Sequence, residues 1–453
     1  MHHKQATRDM TEGSIPGHLI AFSLPLMVGN LFQMLYNMVD SIVVGQYVSK
    51  EALAAVNSTT TIINMLVFFF NGFSVGCGVV IARYFGAKDH RQLHRAIETA
   101  MSMTFLFCVL FTIIGLFSVR PMLNLMSTPE DVMNDAVTYL TIYFTGFTGL
   151  LIYNMGSGIL RAVGDTSHPL MFLILTSLLN IALDLLFVLV FQMGIAGVAW
   201  ATVLSMLISA GLTLLLLVRS RDVYRFSFRD LCLDGVLLRQ IFTVALPAAI
   251  QSVITAFSNT FVQAYINFFG SDCMAGWGCY NKLDQFIMLP MSSVAMAATT
   301  FVSQNIGAGK KKRAKHGTFH AILISCTITL TVAVILFIFA DPAMRLFTRE
   351  QSVIDFGVLF VRANSFFLLF NAFNHVMAGA LRGQGDSKGP MIVMLTSFVA
   401  IRQVYLFLVT RYVANTPFLV GFGYPVGWMC CFVLELLYYH RRGRLDPAPA
   451  EAA

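Results

Sequence analysis

Twelve stretches of this chain stay apolar for about twenty residues or more, the length a helix needs to cross a bilayer. Nothing else in the sequence constrains the fold as strongly. Hydrocarbon offers the backbone no hydrogen-bond partner, so a crossing segment must satisfy its own N–H and C=O groups, as a helix or within a closed barrel. The runs are long and continuous rather than ten-residue alternations, which excludes a barrel. Composition agrees, with 57% of residues hydrophobic and 12% charged, where soluble domains carry about a quarter. The forty Phe and twenty-four Met suit a surface that faces lipid. The pattern predicts an all-α integral membrane protein with spans at 18–46, 51–82, 92–118, 132–160, 168–191, 194–218, 236–268, 273–306, 316–340, 352–381, 387–410 and 417–440. No short apolar core with a small-residue cleavage site precedes the first run, so that helix is expected to be retained.

A net charge of +7 could suit nucleic acid, but its distribution argues against that partner. Twenty-two of the thirty basic residues fall on alternate connections, five on the opposite ones, and three (Lys282, Arg362 and Arg402) within spans. Basic loops stay in the cytoplasm, which places both termini there, as a segment 1–17 and a tail 441–453. The eight cysteines lie mostly inside apolar runs, and none forms a C-x-x-C pair, so they read as buried, unreactive thiols. No His/Cys/Asp cluster has metal-site spacing, and no organic cofactor is expected. Gly307-Ala308-Gly309-Lys310 lacks the leading Gly and the final hydroxyl of a phosphate loop. Energy for any transport must then come from an ion gradient or the substrate's own gradient.

The chain also repeats itself. Leu160-Arg161-Ala162-Val163-Gly164-Asp165-Thr166-Ser167-His168-Pro169 returns as Leu381-Arg382-Gly383-Gln384-Gly385-Asp386-Ser387-Lys388-Gly389-Pro390, at an offset of 221. Gly86-Ala87 matches Gly307-Ala308 at the same offset, and Leu24-Pro25 matches Leu246-Pro247 one residue further on. Two six-helix lobes follow, 18–218 and 236–440, joined by a polar linker at 219–235. An even number of spans gives both lobes one orientation, a parallel repeat of the kind transporters build around a central path. In the recurring L-R-x-x-G-D element Gly frees the backbone to turn, Asp caps the next helix and Pro sits in its first turn. Gly383-Gln384-Gly385-Asp386 also spells the G-x-G-D string of intramembrane aspartyl proteases. Those enzymes need a second Asp facing the first within the membrane, and Asp386 lies at a basic turn, so the protease reading fails.

Ionisable residues inside a span cost about 2.5–3.5 kcal/mol on insertion scales, which makes each one a candidate for function. On the first helix Gln33, Tyr36, Asn37 and Asp40 share one face, with Asn30 a turn earlier. Pro25 removes a backbone hydrogen bond near that helix's start. Asn180 and Asp184 stand one turn apart on helix five, and helix six adds Thr202, flanked by Gly197 and Ser205. Two carboxylates, an amide oxygen and a hydroxyl can share protons or ligate sodium, and the residues alone do not choose between these. Gln33, Tyr36 and Asn37, with Tyr139 of helix four, are candidates to line the cavity. In the second half Arg402 stands within a residue of the match to Asn180, and Tyr405 where Asp184 would be. A fixed positive charge there argues against a second cation site. Asp284 is expected to form a buried structural ion pair with Arg402, or with Lys282. His375 and Glu435 are weaker candidates, Glu435 being near enough to the end of the last span to reach the interface.

Taken together, Leu24-Pro25 with the run to Asp40-Ser41, Tyr84-Phe85-Gly86-Ala87, both L-R-x-x-G-D-[T/S] elements and the Asn180/Asp184 pair resemble the multidrug and toxic compound extrusion (MATE) family. The resemblance covers essentially both repeats. It implies a secondary active transporter, not an enzyme, that exports bulky, often cationic or aromatic compounds in exchange for protons or sodium. By similarity Asp40, Asn180, Asp184 and Thr202 form the cation site of the first lobe. Another branch of the family carries an acid on helix seven shortly after the Pro, and Pro247-Ala248-Ala249-Ile250-Gln251-Ser252-Val253-Ile254-Thr255 has none, so the chain is closer to the DNA-damage-inducible branch. The resemblance further implies a monomeric working unit in the inner membrane of a bacterium or archaeon. A lipid-linked oligosaccharide flippase of related fold is the rival, and it would line its cavity with more cations than the three found within spans.

Overall fold

The computed structural model describes residues 7–442, apart from the side chains of Asn37, Asp40, Ser41, Lys50, Leu53, Phe257 and Arg442. The described residues form helices and no strand. The first half holds α1 (Ile15–Tyr47), α2 (Lys50–Gly86), α3 (His90–Leu125), α4 (Glu130–Thr145), α5 (Phe147–Ala162), α6 (Ser167–Leu185) and α7 (Gly194–Arg219). The second holds α8 (Gly235–Asn267), α9 (Ser271–Gly307), α10 (Lys311–Ile338), α11 (Ala340–Arg345), α12 (Gln351–Asn364), α13 (Leu368–Gly383), α14 (Lys388–Met394), α15 (Arg402–Leu408), α16 (Pro417–Gly421) and α17 (Gly423–Arg442). Eleven spans are long and apolar enough to cross a membrane, and α4 with α5, bent by 48°, makes a twelfth. Two sets of six result, as the repeat requires.

The structure extends the repeat beyond its sequence anchors. The bend between α4 and α5 falls at Gly146, where a Cβ would lie 2.5 Å from Val203 of α7, so only glycine lets the corner approach. At the same offset of 221 stands Phe367, in the 3-10 turn that separates α12 from α13. Wide π turns at Leu186–Val190, after α6, and at Val409–Val413, after α15, close corresponding spans, two residues off that spacing. Both L-R-x-x-G-D elements close a helix with a left-handed glycine, Gly164 at φ +88° and Gly385 at φ +91°, and the following N–H turns back to Leu160 and Leu381 respectively. Asp165 then accepts the N–H groups of Ser167 and His168, and Asp386 that of Gly389, which satisfies the open end of the next helix.

Among the described residues two compact units emerge, one of Pro25–Ala245 with residues 7–9, the other of Met10–Leu24 with residues 246–442. They part inside α1 and α8, at Leu24/Pro25 and Ala245/Leu246, and not in the polar stretch 219–235. Both helices run on through their prolines. Met10–Leu24 is tied to the second unit by α10, where the Arg313 guanidinium donates to the carbonyls of Met10, Glu12 and Gly13, at 2.9–3.3 Å. The first unit packs its core around Phe70, Phe111, Phe144 and Phe147. In the second, Trp277, Tyr280, Phe360 and Tyr424 do the same.

Candidate functional site

In the first unit the polar residues of α6 gather along one seam with α7. Thr176 and Ser209 join hydroxyls across it at 2.8 Å. Gly197 lies so close to Phe187 that a Cβ would sit 3.0 Å from that residue's own Cβ. With the antiparallel register pinned at those two points, Asn180 comes level with Ser205, and Asp184 level with Thr202 within a residue. Asp184 is 0% exposed and Asn180 3%. Neither polar atom of the Asn180 amide has a hydrogen-bond partner among the described residues, and the same holds for the Ser205 hydroxyl. Thr202 spends its proton on the Val198 carbonyl at 3.1 Å, which leaves its oxygen lone pairs facing outward from the helix. Ser177, also buried and unpartnered, adds a fourth oxygen that the sequence did not single out. Its signal was there to read, one residue from the turn before Asn180.

The first helix supplies its part by position. Gly29 of α1 lies against Leu170 and Leu173 of α6, where a Cβ would come 3.4 Å from each. Both helices are odd-numbered spans and so run in the same direction; eleven residues on, Asp40 reaches the level of residues 181–184. The side chains of Asp40 and Asn37 lie outside the described residues. Of the cavity-lining candidates, Tyr139 is buried in the first unit's core, Tyr36 is half-buried and Gln33 is exposed.

The second unit uses the corresponding place differently. Arg402 is 2% exposed, donates to the Ser258 hydroxyl at 2.5 Å and the Asn259 side-chain Oδ1 at 3.1 Å, and lies 4.9 Å above the Tyr424 ring. Tyr405 donates to the Leu419 carbonyl at 3.0 Å. The expected ion pair of Asp284 with Arg402 or Lys282 does not form among the described residues. Arg402 is already satisfied by neutral oxygens and a ring face, while the long, exposed Lys282 side chain reaches the Phe347 ring, 5.9 Å away. Asp284 keeps an unpartnered carboxyl oxygen. A charge that the fold itself supplies fills the position where the first unit offers open oxygens.

Comparison with known proteins joins these features to one family. The MatE family model matches residues 25–186 and again 247–408, each match opening at a proline within one residue of where the compact units divide. YpnP of Bacillus subtilis (strain 168), a probable multidrug resistance protein, is 29% identical over 437 residues, 96% of this chain and 97% of that protein. NorM of Thermotoga maritima, also a probable multidrug resistance protein, is 27% identical over 405 residues, 87% of this chain and 85% of that one. In fold, the chain superposes on an outward-facing multidrug resistance MATE transporter of the MOP superfamily with a TM-score of 0.91, at 23% identity, covering 98% of this chain and 99% of the other. Two family matches in tandem over a twelve-span helical fold leave one assignment: the chain belongs to the MATE family of membrane transporters.

Proposed function

We propose that this transporter exports bulky, often cationic or aromatic small molecules across the cell membrane of a bacterium or archaeon, in exchange for protons or sodium. Asp40, Asn180, Asp184 and Thr202 of the first unit would bind the coupling ion. One observation carries the reading: a fully buried carboxyl, Asp184, sits one turn from the Asn180 amide, whose polar atoms have no hydrogen-bond partner among the described residues. A carboxylate so placed in a span must be compensated, and a bound proton or a small hard cation ringed by oxygens does that. The amide of Asn180 and the hydroxyls of Thr202 and Ser205 are oxygens of the right kind, held by a rigid helix pair. The names of the relatives favour drugs as cargo, and the many Phe and Met suit a greasy, adaptable cavity. The distribution of basic residues favours cytoplasmic termini and a site opened to each side in turn. The working unit is read as a monomer.

The test is transport of a cationic dye by the purified chain in vesicles, with a proton gradient and a sodium gradient imposed separately. One of the two should drive dye accumulation against its own gradient. Movement that follows only the dye gradient, whichever ion is offered, would refute the coupling.

A further inference from the structure

Glu435, which the sequence places within reach of the interface, is instead 0% exposed, and neither of its carboxyl oxygens has a hydrogen-bond partner among the described residues. Its neighbours follow from the register of α13 against α17, two parallel helices pinned at two points. Asn374 donates to the Trp428 carbonyl at 2.9 Å, and further along the Tyr438 hydroxyl donates to Asp386. Between these ties, Arg382 stands eight residues beyond Asn374, and Glu435 seven beyond Trp428. The two are level. Arg382 belongs to the second L-R-x-x-G-D element, and its Nε is likewise buried without a partner. The fold thus places a buried acid level with a partly buried arginine, and no hydrogen bond or ion pair joins the two among the described residues.

Other groups around the acid leave this pair isolated. His375 lies two turns before Arg382 on the same face of α13. On α17 itself Cys431, a turn before Glu435, is fully buried, and Tyr438 is committed to Asp386. Asp386 also caps α14 through Gly389, and Lys388 is exposed at that helix's start. From the π turn Leu395–Ile401 comes only Ser397, which does not ionise, and Arg402 of α15 is held by Ser258 and Asn259. No acid occurs anywhere in α7, the matching last helix of the first half, where Leu214 stands at the offset of 221. The duplicated element supplies an arginine to both halves, Arg161 and Arg382, but only the second half sets an acid at the matching place on its last helix.

We propose that Glu435 and Arg382 form a proton-binding site of the second unit: Glu435 carries the proton in this conformation and releases it when Arg382 closes on it as an ion pair. An unpaired carboxylate is costly in so dry a place, whereas a protonated acid is neutral. Closure of Arg382 compensates the charge and lets the O–H bond break, and the proton passes to water at the Gly385-Asp386 turn. The site does not depend on the coupling role assigned to Asp184.

Infrared spectroscopy of the full-length chain in lipid vesicles, titrated from about pH 5 to about pH 10, tests this without substrate or gradient. The wild type should lose a protonated-carboxyl band that Glu435→Gln never shows. Arg382→Gln should hold that band to a pH higher by at least about one unit, because the compensating cation is gone. Glu435→Gln is close in shape to the protonated acid; if it fails to accumulate, Glu435→Asp keeps the proton and displaces the band, and is judged by the same criterion. Titrations that coincide in wild type and Glu435→Gln would overturn the proposal, and so would a Glu435 band that persists at every pH and ignores Arg382→Gln. Dye efflux driven from the first unit can fail or succeed separately from this result.

Discussion

The environment of Arg402 makes a prediction whose sign runs against intuition. Removing a buried arginine with two hydrogen bonds and a stacked ring looks severe. Interhelical hydrogen bonds within membranes are worth about 0.6 and at most about 1.7 kcal/mol each, so the bonds to Ser258 and Asn259 contribute about 1–3 kcal/mol. The ring face of Tyr424 adds about 0.5–2 kcal/mol. Against this stands the cost of placing an arginine in a span, about 2.5–3.5 kcal/mol on insertion scales. The terms nearly cancel, so Arg402→Met should change stability by less than about 2 kcal/mol. Ser258→Ala with Asn259→Ala leaves the charge buried and removes its acceptors, and should cost about 2–4 kcal/mol. Thermal unfolding in detergent, at about 2 °C or more per kcal/mol for a unit of this size, resolves the two. The deciding variant is the triple, in which Arg402→Met added to the double should restore most of the lost stability. A triple mutant as unstable as the double, or a single Arg402→Met less stable than the double, would refute the argument.

Asp40→Asn and Asp184→Asn should each abolish ion-driven dye efflux in vesicles while the protein stays folded and monodisperse, since a neutral amide replaces a group that must be compensated; wild-type efflux from both would remove the coupling site. Asn180→Ala and Ser205→Ala each withdraw one oxygen from the α6–α7 seam, and should weaken the apparent affinity for the coupling ion by about tenfold, one hydrogen bond's worth, with less effect on maximal efflux. Gly164→Ala should lower stability by more than the about 1–2 kcal/mol of a left-handed residue, because its Cβ would also come 2.3 Å from the Arg8 carbonyl oxygen. The equivalent change at Gly385, also left-handed, provides the comparison.

How much of this was legible beforehand depends on whether a property is local. The spans were, because any long apolar run in lipid must close its own hydrogen bonds. So were the caps at Asp165 and Asp386, which act on N–H groups two or three residues away. The shared face of Asn180 and Asp184 follows from helical spacing alone. The pairing of that face with Ser205 and Thr202 needed the register of α6 on α7, which the packed structure sets and the Thr176–Ser209 bond and the Gly197 contact mark. Likewise the division at Leu24/Pro25 and Ala245/Leu246 lies within continuous helices, where no break in composition marks it.

The amino-acid sequence determined, without help, that this is a helical membrane protein built twice over, since hydropathy and repetition are properties of the chain itself. Only the tertiary structure decided which buried charges meet. Arg402 chose Ser258, Asn259 and Tyr424 over Asp284, and Glu435, a residue that looked bound for the interface, ended sealed beside α13. The reason is physical. In a span, the fate of a charge depends on what the neighbouring helices bring to its depth, and helix neighbours are fixed by packing between residues far apart in the chain.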